Sequence, residues 1–243
     1  MGEKFTKSLL TPIPPHALFM LLQSGWNADF ILRICLSAIN SMHNSSGKRI
    51  ATIHADDAFE DLLGHLSVIQ QAGGLGTRLV ERDGKHSIIY FKQSLDKKME
   101  AHVKATLTLL GLNPDKREYD LVYGSTAASD TEIAMLTRSM LDIITELSLY
   151  VEIPPQHLEE NRAAPGIIDL TETSTEMRSR VMIRSDEHEP SDAFIAVNYR
   201  DLWFYIEDTD FRSKRMFSFL LFLFSLAESG SEGITPILTL PTG

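Results

Sequence analysis

The sequence predicts an α+β protein: N-terminal helices with a β-hairpin, then a small C-terminal sheet packed on a buried apolar helix. Three observations predict it. Apolar residues recur at helical spacing through most of residues 1–155. Asp83-Gly84 sits between the apolar-rich runs "TRLVER" and "KHSIIYF", a strong short-range hairpin signal. Three strand-like runs after residue 177 lead into Met216–Ala227, twelve residues without a charge. The expected organisation is a mainly helical region over 1–155, a join over 156–177, and a β-rich region with a crossover helix over 178–243.

Taken in order, "TPIPP" is an extended entry whose prolines suit the first turn of a helix. "HALFMLLQSG" follows as a short apolar helix closed near Gly25. "NADFILRICLSAINSMHN" reads as a long helix over 27–43 with Asn27 as its N-cap. "NSSGKR" breaks it, and "DDAFEDLLGHLSVIQQAGG" gives a third helix over 56–72 that stops at Gly73 or Gly74. After the hairpin over 78–91, "LDKKMEAHVKATLTLLGLNP" is a fourth helix, with Ser94 as the expected N-cap. "EYDLVYG" is a strand, and a fifth helix is expected from Thr137 to just before Pro154. Periodicity is lost over 156–177. Then "RSRVMIRS", "DAFIAVNY" and "DLWFYIED" read as strands, the last two joined tightly through "NYRD". The apolar helix and a final strand, "PILTLP", complete the chain.

Composition excludes several functions. The 23 basic and 33 acidic residues leave a net charge of -10, which repels phosphate backbones and argues against nucleic-acid binding. The order of three helices and a hairpin is that of a winged helix. Its reading helix would be "DDAFEDLLGHLSVIQQ", which carries acids and neither Lys nor Arg. The single cysteine, Cys35, allows no intrachain disulfide and reads as a buried, inert thiol. "MGEKFTKSLL" carries no signal peptide, so the chain is expected to be cytoplasmic or a fragment without its export signal.

Met216–Ala227 rises roughly 18 Å as a helix, short of the hydrocarbon core of about 30 Å. It is apolar nearly all round, which predicts burial on nearly all sides rather than membrane insertion. Ser218 and Ser225 share a face. Ahead of it lie Arg212, Lys214 and Arg215, for which Asp208 and Asp210 are the expected internal partners and caps.

No motif specifies a chemistry. "GGLG" lacks the strand-before, helix-after context of a phosphate loop. "SLDK" matches S-x-x-K but lacks its companion motifs, and Ser125 lacks a nucleophile elbow. The eight histidines are scattered, without H-E-x-x-H. "HADD" and "EDTD" are better read as helix caps than as metal ligands. The sequence therefore calls for no catalytic residue, metal or cofactor. Trp203 and Tyr205 alternate with Leu202, Phe204 and Ile206. With Arg200 they form the expected contact patch, and Arg212, Lys214 and Arg215 complete the candidate binding residues.

The segments "GEKFTKSLLTPIPPHALFMLLQSGW", "TRSMLDIITELS", "VEIPPQH" and "YRDLWFYIEDTDFRSKRMFSFLLFLFSLAE" resemble an uncharacterised lipoprotein family of Gram-negative bacteria, most sharply over 199–227. The resemblance implies further upstream residues, a lipid-anchored parent and a location on the periplasmic side of the cell envelope. It implies no catalytic residues. The function expected is therefore a non-enzymatic envelope protein that binds another protein. The rival is a hydrolase with a non-standard Ser/His/carboxylate site.

Overall fold

The computed structural model describes residues 6–7, 9–44, 57–81, 85–92, 96–148, 150–164 and 181–228, and its helices and mixed sheets place the protein in the α+β class. The chain divides into two compact units, Thr11–Glu146, and Met1–Leu10 together with Leu147–Gly243.

In the first unit, α1 (Pro15–Gln23) begins on a proline at its first turn and closes before Gly25, whose φ of 92° is costly for any residue with a Cβ. Asn27 caps α2 (Ala28–Cys35), its side chain accepting the Phe30 N–H at 3.0 Å. The helix expected over 27–43 ends at Cys35. The chain extends into β1 (Leu36–Ile39), turns at Asn40 and Ser41 with φ of 40° and 68°, and returns as β2 (Met42–His43). Long-range hydrogen bonds decide against the helix. The Asn40 side chain accepts the Ala134 N–H at 2.7 Å and donates to the carbonyls of Leu110 and Glu132 at 2.8 and 3.2 Å. Asn44 donates to the carbonyls of Arg33 and Leu36 at 2.6 and 2.8 Å. Buried Arg138 covers the carbonyl end of α2, donating to Ile34 at 2.9 Å and Arg33 at 3.2 Å.

Helix α3 (Asp57–Gln71) stops before Gly73, at φ 65°, and feeds the expected hairpin of β3 (Leu75–Glu81) and β4 (Lys85–Phe91). The two strands pair antiparallel from Leu75↔Phe91 to Glu81↔Lys85; Asp83-Gly84 lies outside the described residues. Helix α4 (Lys97–Leu109) is capped by Asp96, which accepts the Met99 N–H at 2.8 Å. The expected cap, Ser94, lies outside the described residues. Strand β5 (Glu118–Tyr123) is followed by β6 (Glu132–Thr137), where the sequence suggested no strand. Thr137 ends that strand. The next helix, α5 (Met140–Ser148), starts later than expected and is capped by Ser139, whose hydroxyl donates to Asp142 Oδ2 at 2.7 Å.

These strands form one sheet in the order β2-β1-β6-β5-β4-β3. Only β5 and β6 run parallel among the described strand pairs of this sheet. Their connection is the eight residues 124–131, far shorter than a helical crossover. Eight extended residues reach about 26 Å, enough to run back along a six-residue strand of about 20 Å. Small residues in "GSTAASDT" suit that path. This topology also removes the winged-helix reading, because the hairpin is part of a six-stranded sheet and the second helix is short. The core gathers Phe59, Leu62 and Leu63 of α3, Val103 and Leu107 of α4, Ile89 and Phe91 of β4, and Tyr119 of β5, each fully or nearly fully buried. Each such side chain contributes about 1.5–3 kcal/mol on burial.

In the second unit, α6 (Pro155–Glu159) occupies the start of the segment expected to be loop. Strands β7 (Arg184–Asp186), β8 (Ala193–Tyr199) and β9 (Leu202–Glu207) form a three-stranded sheet, in the order β7-β9-β8 and antiparallel throughout; its first strand is shorter and starts later than "RSRVMIRS" suggests. Arg200 and Asp201 make the hairpin turn with φ of 55° and 63°, the left-handed pair of a two-residue turn. Helix α7 (Phe211–Glu228) follows. The expected strand "PILTLP" lies outside the described residues.

Burial of α7 differs from the expectation. Ser213, Met216, Phe219 and Leu223 form one buried stripe at three- and four-residue spacing, while Leu221 is 56% and Phe222 39% exposed. Ser218 and Ser225 do share the exposed side. Helix and sheet meet at Phe194 and Phe217, whose rings pack edge to face at 6.1 Å between centroids.

Candidate functional site

The β8–β9 hairpin is built from alternating side chains, so its two faces differ sharply. On one face Trp203 stands opposite Asp186 and Asn198, and Tyr205 opposite Arg184 and Ala196. Arg184 also pairs with Glu207 at 2.7 Å. Trp203 and Tyr205 lie on the central strand and are half-buried. The other face is apolar: Leu202 opposite Tyr199, Phe204 opposite Val197, and Ile206 opposite Ile195. It is covered at one end, where Ile206 is 4% exposed, and open at the turn end, where Val197 is 57% and Tyr199 56% exposed.

Arg200 belongs to the open end. Its guanidinium lies 5.2 Å from the centre of the Tyr199 ring, a cation–π contact. The expected trio is therefore not brought together: Arg200 stacks on Tyr199, from the face opposite Trp203 and Tyr205. The same alternation signal lies in "IAVNY", where Ile195, Val197 and Tyr199 share a face.

Strand β8 is also an edge of its sheet among the described residues. A two-residue turn makes Tyr199 and Leu202 a hydrogen-bonded pair, and bonding alternates along an antiparallel ladder. Val197 therefore bonds to Phe204, while the backbone N–H and C=O of Ala196 and Asn198 face away from β9.

Within the basic cluster, Lys214 is tied into the fold. Lys214 Nζ pairs with Asp208 at 2.6 Å, donates to its carbonyl at 3.0 Å, and lies over the rings of Phe194 and Phe211 at 4.9 and 5.6 Å. Asp210 caps α7, its carboxylate accepting the N–H groups of Arg212 and Ser213, each at 3.1 Å. Arg212 and Arg215 are exposed on the first turns. With Glu207 bound to Arg184, the acids of "EDTD" serve as pairs and caps, as the sequence suggested.

The first unit carries an open groove of about 310 Å³ lined by Phe19, Leu22, Leu75 and the Tyr90 ring, with Gln23, Gln70, Thr77 and Lys92 as polar groups. Gln70 is committed to structure: it accepts the Ala28 N–H at 2.8 Å and donates to the carbonyls of Leu22, at 2.7 Å, and Trp26. Gln23 donates to the Thr77 carbonyl at 3.3 Å. The Tyr90 ring lies over Gly76, where a Cβ would fall 2.3 Å from the ring. Gln23 thus ties α1 to β3, and Gln70 ties α3 to the junction of α1 and α2.

The serine–carboxylate pairs are helix caps: Ser139 with Asp142 and Ser213 with Asp210. His188 stands beside Asp186 at 3.5 Å on an open surface, its side chain 90% exposed. Burial pushes the Cys35 thiol up to about 12, so it is protonated and unreactive at neutral pH. No described helix is long and apolar enough to cross a membrane. Comparison with protein-family profiles, curated protein sequences and solved structures gives no match to the chain.

Proposed function

We propose that the chain is a non-enzymatic protein-binding module whose second unit takes an extended, apolar segment of a partner protein along the outer edge of β8. The observation that carries the reading is the state of that edge. Backbone groups of Ala196 and Asn198 point outward, and Val197 and Tyr199 stand exposed beside them. An added strand supplies main-chain hydrogen bonds for affinity, and alternate side chains on the apolar face supply specificity. Natural proteins ordinarily blunt such edges with charge or proline, and β8 has neither. Arg200, at the end of the strand, favours a partner with a carboxylate beyond its apolar run. A net charge of -10 opposes nucleic acid as the partner. We propose that the encounter takes place on the periplasmic side, with the chain as part of a lipid-anchored parent, a reading supported by the resemblance of residues 199–227 to envelope lipoproteins.

The test uses a photo-crosslinking residue at position 197 in the lipid-anchored parent, in its native envelope. One defined partner segment should be captured. Asn198→Pro, which removes an outward N–H while sparing the β8–β9 ladder, should abolish capture at unchanged thermal midpoint. So should Arg200→Glu, by repulsion. Undiminished capture by both variants would contradict the proposal.

A further inference from the structure

We propose that His65 and His102 form a two-histidine site for a transition-metal ion of the Zn²⁺, Ni²⁺ or Cu²⁺ class, clipping α3 to α4. The eight histidines look scattered in the sequence, yet the fold brings these two together across a separation of 37 residues. Helices α3 and α4 pack against one another. Between them the two Nδ1 atoms lie 2.8 Å apart, with the rings edge to face at 62° and 5.0 Å between centroids. Both imidazoles are half-buried, so solvent and ions reach them.

Two imidazole nitrogens at this distance must share a cation or a proton. A proton suffices when one ring carries its hydrogen on Nδ1 and the other on Nε2. When both carry it on Nε2, two lone pairs converge on one point and repel unless a positive ion lies between them. Among the described residues neither ring has a hydrogen-bond partner other than its fellow, so no described group outside the pair fixes the tautomers. Both nitrogens are then available as ligands at once.

The distances fit. Zinc binds imidazole nitrogen at about 2.0–2.1 Å, so a tetrahedral ion holds two such nitrogens about 3.3 Å apart. The pair need open by only about half an ångström, within reach of small side-chain rotations. Imidazole donors select zinc, nickel and copper over magnesium and calcium. Among the described residues no group of three or more His, Cys, Asp or Glu is placed to hold a metal ion, so water or an external ligand fills the remaining positions. Because the histidines come from two helices already packed together, the chelate is preorganised, and binding should stabilise the helix pair.

The experiment titrates the full chain, free of any affinity tag, with Zn²⁺, Ni²⁺ and Cu²⁺ separately. Expected are one ion per chain, a higher thermal midpoint, and joint movement of the His65 and His102 Nδ1 resonances in imidazole ¹⁵N spectra with Zn²⁺. His65→Gln and His102→Gln should each weaken binding by about tenfold or more, and His43→Gln, at an exposed position on β2, should not. Unmoved Nδ1 resonances, or full binding by the His65/His102 double variant, would overturn the assignment and leave a proton-only pair. The spectra are read on the unaltered chain, so a variant that fails to fold does not weaken the test.

Discussion

The two units treat apolar surface and polar backbone differently. The first closes its fold with polar side chains: half-buried Asn40 and buried Arg138 reach backbone groups 70 to 105 residues away, buried Asn44 ties back to α2 and β1, and a six-stranded sheet lies among helices. Among the described residues the second has a three-stranded sheet, and Phe194, Val197 and Tyr199 on its edge strand are 42–57% exposed. Phe211 at the start of α7 is 79% exposed. A unit that ties down its backbone and buries most of its large side chains is organised for stability. One that holds alternating apolar side chains on an open edge is organised to be completed by something else.

The sharpest way to break this comparison is through the buried stripe of α7. Phe219→Asp or Leu223→Asp places an unpaired carboxylate at a position 0% or 2% exposed and should cost several kcal/mol, enough to unfold the second unit. Ser218→Asp, on the exposed side, should change stability by less than about 0.5 kcal/mol. Circular dichroism melts of the three variants check the contrast; equal losses would mean that α7 has no open side.

The next largest effect is expected in the first unit. Asn40→Ala strands the Ala134 N–H and two carbonyls at once. The loss should be about 2–3 kcal/mol by denaturant titration. An unchanged midpoint would show that the hairpin of β1 and β2 is not pinned by that side chain.

Glu146 gives a smaller, pH-dependent effect. Burial raises its carboxyl above the ordinary value of 4.5, and the charge of Arg138 opposes the rise only in part. Above pH 4.5 the folded state therefore binds more protons at this site than the unfolded state. Its contribution to stability falls as pH rises through the folded-state value. Glu146→Gln should raise the thermal midpoint at pH 7, with the gain shrinking as pH is lowered toward 4.5. A gain that grows on acidification would reverse the assigned cause.

The smallest effect concerns the open edge. Val197→Lys should leave stability within about 0.5 kcal/mol, because the side chain is already exposed. A large loss would mean that the apolar face is covered within the chain.

Local patterns made much of this legible. Gly25, Gly73 and Gly111 end helices where their positive φ angles say they should, and "NYRD" closes the hairpin predicted for it. The failures share one cause. "LSAI" and "EIAMLT" are short apolar runs whose pattern suits a helix or a buried strand equally well. Their strand state is decided by partners about a hundred residues away, β1 with β6, which no local window contains. Likewise, the alternation in β9 drew attention to Trp203 and Tyr205. Only the strand order shows that β9 is central and β8 is the edge, which moves the exposed apolar side chains to Val197 and Tyr199. The His65–His102 pair depends wholly on helix packing and leaves no spacing signal.

The open edge of β8 can be measured directly by amide hydrogen exchange, residue by residue, on the full chain in dilute solution. The amides of Val197 and Tyr199, bonded to β9, should be protected, while those of Ala196 and Asn198 should exchange at rates close to an unstructured backbone. Equal protection of all four amides would mean that the edge is already paired in the chain itself, and would contradict the proposed binding surface.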